Sequence, residues 1–149
     1  MRKSILACFM FILSQSLSAQ NDTFKLCGDQ KTYPYYNPDL KYQGGFYEIK
    51  SHLINSLVPN KLDKKINGII TIQFQINCEG RTGNFKVLQV DLDYNETIFE
   101  EKSIDHLLDL VKDLKNWVPV KNESGETVNS HKFITFRIIA GEITEILPK

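Results

Sequence analysis

The sequence lacks a surplus of charge of either sign. Lysine and arginine together number 18, aspartate and glutamate also number 18, and the formal net charge at pH 7 is zero. A protein that neutralises nucleic-acid phosphates carries a basic surplus gathered on one face. We therefore expect no nucleic-acid partner.

Proline and glycine are also scarce, with 5 and 8 in a chain of 149 residues. Their scarcity excludes collagen-like and low-complexity classes, whose compositions depend on these two residues. Hydrophobic residues make up 42% of the chain, which is enough to form the core of a globular domain. The length suits one such core and leaves no room for a second.

The amino-terminal apolar run, Ile5–Leu13, is too short to cross a bilayer. It has about nine residues, whereas a spanning helix needs roughly 20. A cationic start precedes the run and small polar residues follow it, which is the pattern of a secretory signal peptide. We assign residues 1–19 to this signal, with cleavage after Ser18 or Ala19. We expect an exported protein, periplasmic or extracellular, with no integral membrane anchor after cleavage.

Cysteine is rare, and its three copies form an odd number. Cys8 lies inside the signal peptide, so its removal leaves an even pair, Cys27 and Cys78. Loss of Arg2 and Lys3 lowers the basic count from 18 to 16 against 18 acidic residues, a formal charge of −2. An even pair in an exported chain predicts a Cys27–Cys78 disulfide. Two buried free thiols are the alternative that the sequence leaves open.

The chain after the signal divides into an arm and a domain. Residues 20–45 are polar and turn-forming around Tyr33–Pro38, which predicts an extended arm. Residues 46–149 form the domain. Apolar residues at spacings of three and four from Phe46 to Leu57 predict a helix that Pro59 stops.

The rest of the domain alternates between strand and helix patterns. Strict alternation over Ile70–Cys78 and a return strand over Asn84–Leu92 predict an antiparallel hairpin. Thr97 and Glu100 have the spacing of a capping box, and a second helix is predicted over 99–115. Lys132–Ile138 and Ile143–Ile146 are predicted to be further strands. The order indicates an α+β fold, with a three- to four-stranded antiparallel sheet packed by two helices.

No pattern in the sequence indicates catalysis. His52, His106 and His131 have no partner at metal-ligand spacing. The acidic residues from Asp91 to Asp105 lack the glycine and the ligand spacing of a calcium loop, so a solvated helix start explains them better. We expect a non-enzymatic protein with no catalytic residues, no metal, no cofactor and no small-molecule substrate.

Several strings, in order, resemble the carboxy-terminal domain of TonB-type energy transducers, in the form found in Bacteroidetes. The resemblance covers Tyr42 to Ile138. The matching strings are Gly44-Gly45-Phe46, Gly68 before the strand Ile69–Asn77, Glu79-Gly80, Val87-Leu88, Trp117-Val118-Pro119, Gly125 and Phe133–Ile138.

The resemblance implies a TonB-like fold and a binding function linked to TonB-dependent transport. Domains of that family lie in the periplasm and capture a segment of an outer-membrane protein by adding it as a strand to the sheet edge. The matching strand is Lys132–Ile138. We therefore expect Phe133, Thr135 and Arg137 to contact a cell-envelope or outer-membrane protein segment.

A second interpretation is that the protein is a structural component of the cell envelope. We expect this chain to have neither the uncleaved anchor nor the long proline-rich spacer of a transducer. If Ile143–Ile146 folds back along the preceding strand, it occupies the edge that a partner would use. The protein is then a disulfide-stapled envelope protein with a self-capped sheet and no energy-transducing role.

Overall fold

The computed structural model describes residues 23–36, 39–57 and 62–148. The predicted signal peptide, residues 1–19, lies outside the described residues, as do the first three residues of the predicted arm. The described chain contains two helices and eight strands. Their bounds are β1 Thr32–Pro34, β2 Lys41–Tyr42, α1 Gly45–Leu57, β3 Gly68–Ile76, β4 Thr82–Asp91, α2 Glu101–Lys112, β5 Trp117–Val118, β6 Val120–Lys121, β7 Thr127–Ile139 and β8 Glu142–Leu147.

Strand β3 lies at the centre of the main sheet. It pairs antiparallel with β4 on one side and with β7 on the other, so that Ile70 lies opposite both Gln89 and Phe136. The predicted hairpin is confirmed as β3–β4. The predicted last two strands are also present as β7 and β8, which pair antiparallel with each other.

One face of this sheet packs against both helices. The two-residue period of β3 buries alternate side chains, and its largest fully buried residue is Phe74. Phe136 of β7 is also fully buried, and α1 and α2 contribute Leu53 and Leu107 to the same hydrophobic cluster. Burial of a side chain of this size contributes about 1.5–3 kcal/mol. The hydrophobic pattern therefore sets the α+β arrangement of a sheet and two helices.

The sheet has more strands than the sequence predicts, and it is not wholly antiparallel. It contains six strands because β1 and β6 also pair with β7, and β1 does so in parallel. Strands β2 and β5 form a separate two-stranded sheet. These four additional strands are two or three residues long, too short to show a period in the sequence.

The predicted capping box at the start of α2 is wrong. Glu100 is the N-cap residue and makes no side-chain cap bond, and its carboxylate instead accepts a hydrogen bond from the Ser103 hydroxyl. The Thr97 N–H donates to the carbonyl of Gln89 at 3.3 Å, because this segment runs back along β4. The helix begins at Glu101 and is shorter than the predicted 99–115.

The arm is fixed to the sheet by a disulfide and by a buried asparagine. The predicted Cys27–Cys78 disulfide is confirmed, with Cα atoms 6.0 Å apart. Asn129, at 2% exposure, accepts a hydrogen bond from the Cys27 N–H at 2.9 Å. Its amide donates to the carbonyls of Cys27 and Lys31 at 2.9 and 3.0 Å. These bonds hold the arm where β1 joins β7.

Candidate functional site

The three residues predicted to contact a partner lie on β7, on the face opposite the helices. They alternate with the buried Ile134, Phe136 and Ile138. Phe133 forms an edge-to-face contact with Tyr35, with ring centroids 5.6 Å apart. Thr135 shares a hydrogen bond of 2.9 Å with Thr71 of β3. Arg137 is exposed and lines a groove beside β8.

The edge of β7 on which the sequence analysis placed a partner is occupied by the chain itself. Strand β8 pairs with residues Thr135 to Ile139, and β1 pairs with Asn129 to His131. The condition stated for the second interpretation, that Ile143–Ile146 folds back on the preceding strand, is therefore met. A partner strand added at Lys132–Ile138 would have to displace β8. On this side of β7, the unpaired edge of the sheet is instead the outer edge of β8.

A groove of about 450 Å³ runs between α1 and β8. Its helix wall consists of Phe46, Lys50 and Ile54, which are four residues apart and therefore share one face of α1. Its strand wall is Ile143–Ile146 of β8. Within the described chain, β8 pairs with β7 only. Its other edge, beside the groove, is therefore unpaired.

The groove combines apolar walls with charged side chains at its rim. Phe46 is half-buried and Ile54 is 42% exposed, so apolar surface remains open to solvent. Lys50 and Arg137 supply two positive charges, and Glu145 supplies one negative charge. Such a surface can accept apolar side chains at alternate positions of an extended peptide and an acidic group beside them.

The acidic segment after β4 stabilises a turn. The Asp91 carboxylate accepts hydrogen bonds from the backbone N–H groups of Asp93 and Asn95, both at 2.9 Å. Its bonds with Asn95 lower the pKa of this carboxyl group. Over residues 23–36, 39–57 and 62–148, no group of three or more potential metal ligands is found.

Two of the histidines have a buried ring nitrogen with no hydrogen-bond partner among the described residues. These are Nε2 of His52 on α1 and Nε2 of His106 on α2. Neither helix of the described chain is long and apolar enough to span a membrane.

Comparison with known proteins gives no relative for this chain: no family model, curated protein or solved structure matches it. The α1 wall of the groove was not predicted from the sequence, although Phe46, Lys50 and Ile54 recur at helical spacing. The Cys27–Cys78 disulfide is typical of proteins outside the reducing cytoplasm.

Proposed function

We propose that this protein is an exported, non-enzymatic interaction module that binds an extended segment of a cell-envelope or outer-membrane protein by strand addition to β8. The observation that carries this proposal is the groove between α1 and the outer edge of β8. Strand addition needs an unpaired edge for main-chain hydrogen bonds and a neighbouring surface for alternate side chains. The groove supplies both.

The groove also suggests the character of the segment. Apolar side chains that pack against Phe46 and Ile54, which lie two turns apart on α1, remove these residues from water, at about 25 cal/mol for each Å² of apolar area. An acidic side chain placed next to it reaches Lys50 or Arg137. We expect the segment to carry apolar residues at every second position and at least one aspartate or glutamate.

Two further observations support the proposal. The resemblance of the ordered strings to TonB carboxy-terminal domains favours strand addition, with the receiving edge moved from β7 to β8. The disulfide favours an oxidising compartment, where cell-envelope segments are accessible. A link to TonB-dependent transport is part of the same proposal.

The test is selection of binders from a displayed library of random short peptides. Selected peptides should bind the wild-type protein and should lose at least about tenfold in affinity for Ile54→Glu, because a carboxylate in the apolar wall must be desolvated. Tyr47→Glu is the matched control, since Tyr47 is on the same helix, is 80% exposed and does not line the groove. Equal loss in both variants would contradict the proposal.

One observation favours the second candidate, a structural envelope protein with a self-capped sheet. Strand β8 covers β7, and it is itself short, carries Glu142 and Glu145, and pairs with a register shift next to Arg137. Charges and irregular pairing at an edge discourage further strand addition. If the selection yields no peptide whose binding depends on Ile54, this second function is favoured.

A further inference from the structure

A second cavity, of about 460 Å³, lies where the arm, the β2–β5 sheet, the start of α1 and β7 meet. Its volume is within the range of small-molecule sites in proteins. Aromatic side chains dominate its lining, with Tyr35 from the arm, Tyr42 from β2, Phe46 from α1 and Trp117 from β5. We call it the aromatic pocket. It shares only Phe46 with the groove beside β8.

Two lysines line the pocket, Lys41 and Lys132, and Lys132 is the one that lies against the aromatic rings. Lys132 lies on β7 opposite Phe74 of β3, so the strand directs it towards the helix side of the sheet. Its Nζ is 4.3 Å from the centroid of the Tyr35 ring and 5.9 Å from that of Trp117. These contacts are cation–π interactions, which offset part of the loss of water.

The Lys132 ammonium has no carboxylate within ion-pair distance in the described chain. Burial lowers the pKa of Lys132, and the Asp39 carboxylate opposes that change from a distance. Asp39 is itself turned to solvent, with Oδ2 3.9 Å from Nζ of Lys41 and a side chain 77% exposed. A half-buried ammonium without a counter-ion is unfavourable for the fold, since buried charges are normally paired.

Trp117, which lines the pocket, also has an unsatisfied donor. Trp117 is 5% exposed, and its indole N–H has no hydrogen-bond partner among the described residues. Buried donors are satisfied in the great majority of cases, so an unsatisfied one beside an unpaired cation calls for an explanation. A ligand that brings an anionic group into the pocket would complete the pairing of Lys132.

We propose that the aromatic pocket binds a small organic acid, whose carboxylate pairs with Lys132 and whose planar apolar body packs against the aromatic walls. Lys41 and Asp39 also line the pocket, but they lie 3.9 Å from each other and their charges offset. Lys132 is therefore the ammonium left for a ligand, and it matches a single negative charge. The site is separate from the proposed strand addition, and it departs from the expectation that no small molecule is bound. The two proposals can fail independently, because their test variants lie in different cavities.

The test uses fluorescence of Trp117, the only tryptophan in the chain. The probes are phenylacetate and its neutral counterpart phenylacetamide, which share the same ring. Phenylacetate should change the fluorescence saturably, with a dissociation constant in about the millimolar range, as expected for so small a ligand. Phenylacetamide should bind at least about tenfold more weakly, since it is neutral and cannot form an ion pair with Lys132.

Three variants locate the effect. Lys132→Gln should abolish the preference for the acid, while Lys121→Gln, which replaces an exposed lysine on β6, should leave it unchanged. Asp39→Asn changes an exposed side chain, so its folding is not at issue, and it should tighten phenylacetate binding because a competing negative charge is removed. Circular dichroism checks that each variant is folded. Equal binding of acid and amide, or no tightening in Asp39→Asn, would overturn the proposal.

Discussion

Replacing Asn129 by alanine should destabilise the protein by about 3 kcal/mol. The side chain makes three hydrogen bonds to the backbone of the arm, one to the Cys27 N–H and two to the carbonyls of Cys27 and Lys31. Each such bond contributes about 1 kcal/mol net. The disulfide keeps the arm tethered in the variant, so the loss reports on these bonds and not on release of the segment.

Urea denaturation of the oxidised protein measures this loss. Asn55→Ala is the control, because Asn55 is exposed on α1 and, among the described residues, its side chain bonds to Ser51 alone. The stability of this variant should stay within about 0.5 kcal/mol of the wild type. Asn129→Asp keeps the acceptor for the Cys27 N–H but removes both donors, so it should also be destabilised. A loss below about 1 kcal/mol for Asn129→Ala would refute the assignment of Asn129 as the residue that fixes the arm.

Three further predictions concern the fold and the aromatic pocket. Replacing Cys27 and Cys78 together by serine should lower the free energy of unfolding by about 4 kcal/mol, the chain-entropy value for a sequence separation of 51, and a loss below about 1 kcal/mol would contradict an ordered arm. Gly68→Ala should cost about 2 kcal/mol, since its methyl group would meet the carbonyl of Val90 and the ring of Phe99; unchanged stability on denaturation would show that the sheet can open there. The pKa of Lys132 in the folded state lies below its ordinary 10.5, because burial disfavours the charged form. Between the folded-state pKa and 10.5 the unfolded chain therefore binds more protons than the folded chain, and the wild type gains stability as the pH rises through that range. Relative to Lys132→Met, its unfolding free energy should therefore increase with pH, and a pH-independent difference would contradict the burial of this ammonium.

The long elements of the fold could be predicted from the sequence because each has a sustained hydrophobic period. The alternation over Ile70–Ile76 and the helical spacing over Phe46–Leu57 both correspond to observed elements. The short strands could not be predicted, since β2 and β5 consist of two residues each and lie where Tyr42 and Trp117, which are distant in the sequence, pack against each other. Their existence depends on contacts between distant segments.

The capping box failed for a related reason. Thr97 and Glu100 have the right spacing, but spacing cannot show that the Thr97 backbone is already bonded to Gln89 of β4. The backbone bond to β4, a contact outside the local motif, therefore prevailed over the capping box.

The candidate site was only partly visible in the sequence. Phe133, Thr135 and Arg137 do share a face, as alternation predicts, but the edge beside them is taken by β8. The groove depends on the distance between α1 and β8, which no sequence pattern reports. The position of Lys132, in contrast, could be predicted from the sequence. It lies two residues before the buried Ile134, so alternation places its side chain on the core side of the strand.

Hydrogen exchange of the β8 backbone amides tests strand addition most directly. The measurement compares the protein alone with the protein saturated by a peptide from the displayed library. We predict that amides within Glu142–Leu147 exchange more slowly in the complex, because a new strand bonds to the outer edge of β8. Unchanged exchange in β8, with protection confined to β4 or to the arm, would contradict it.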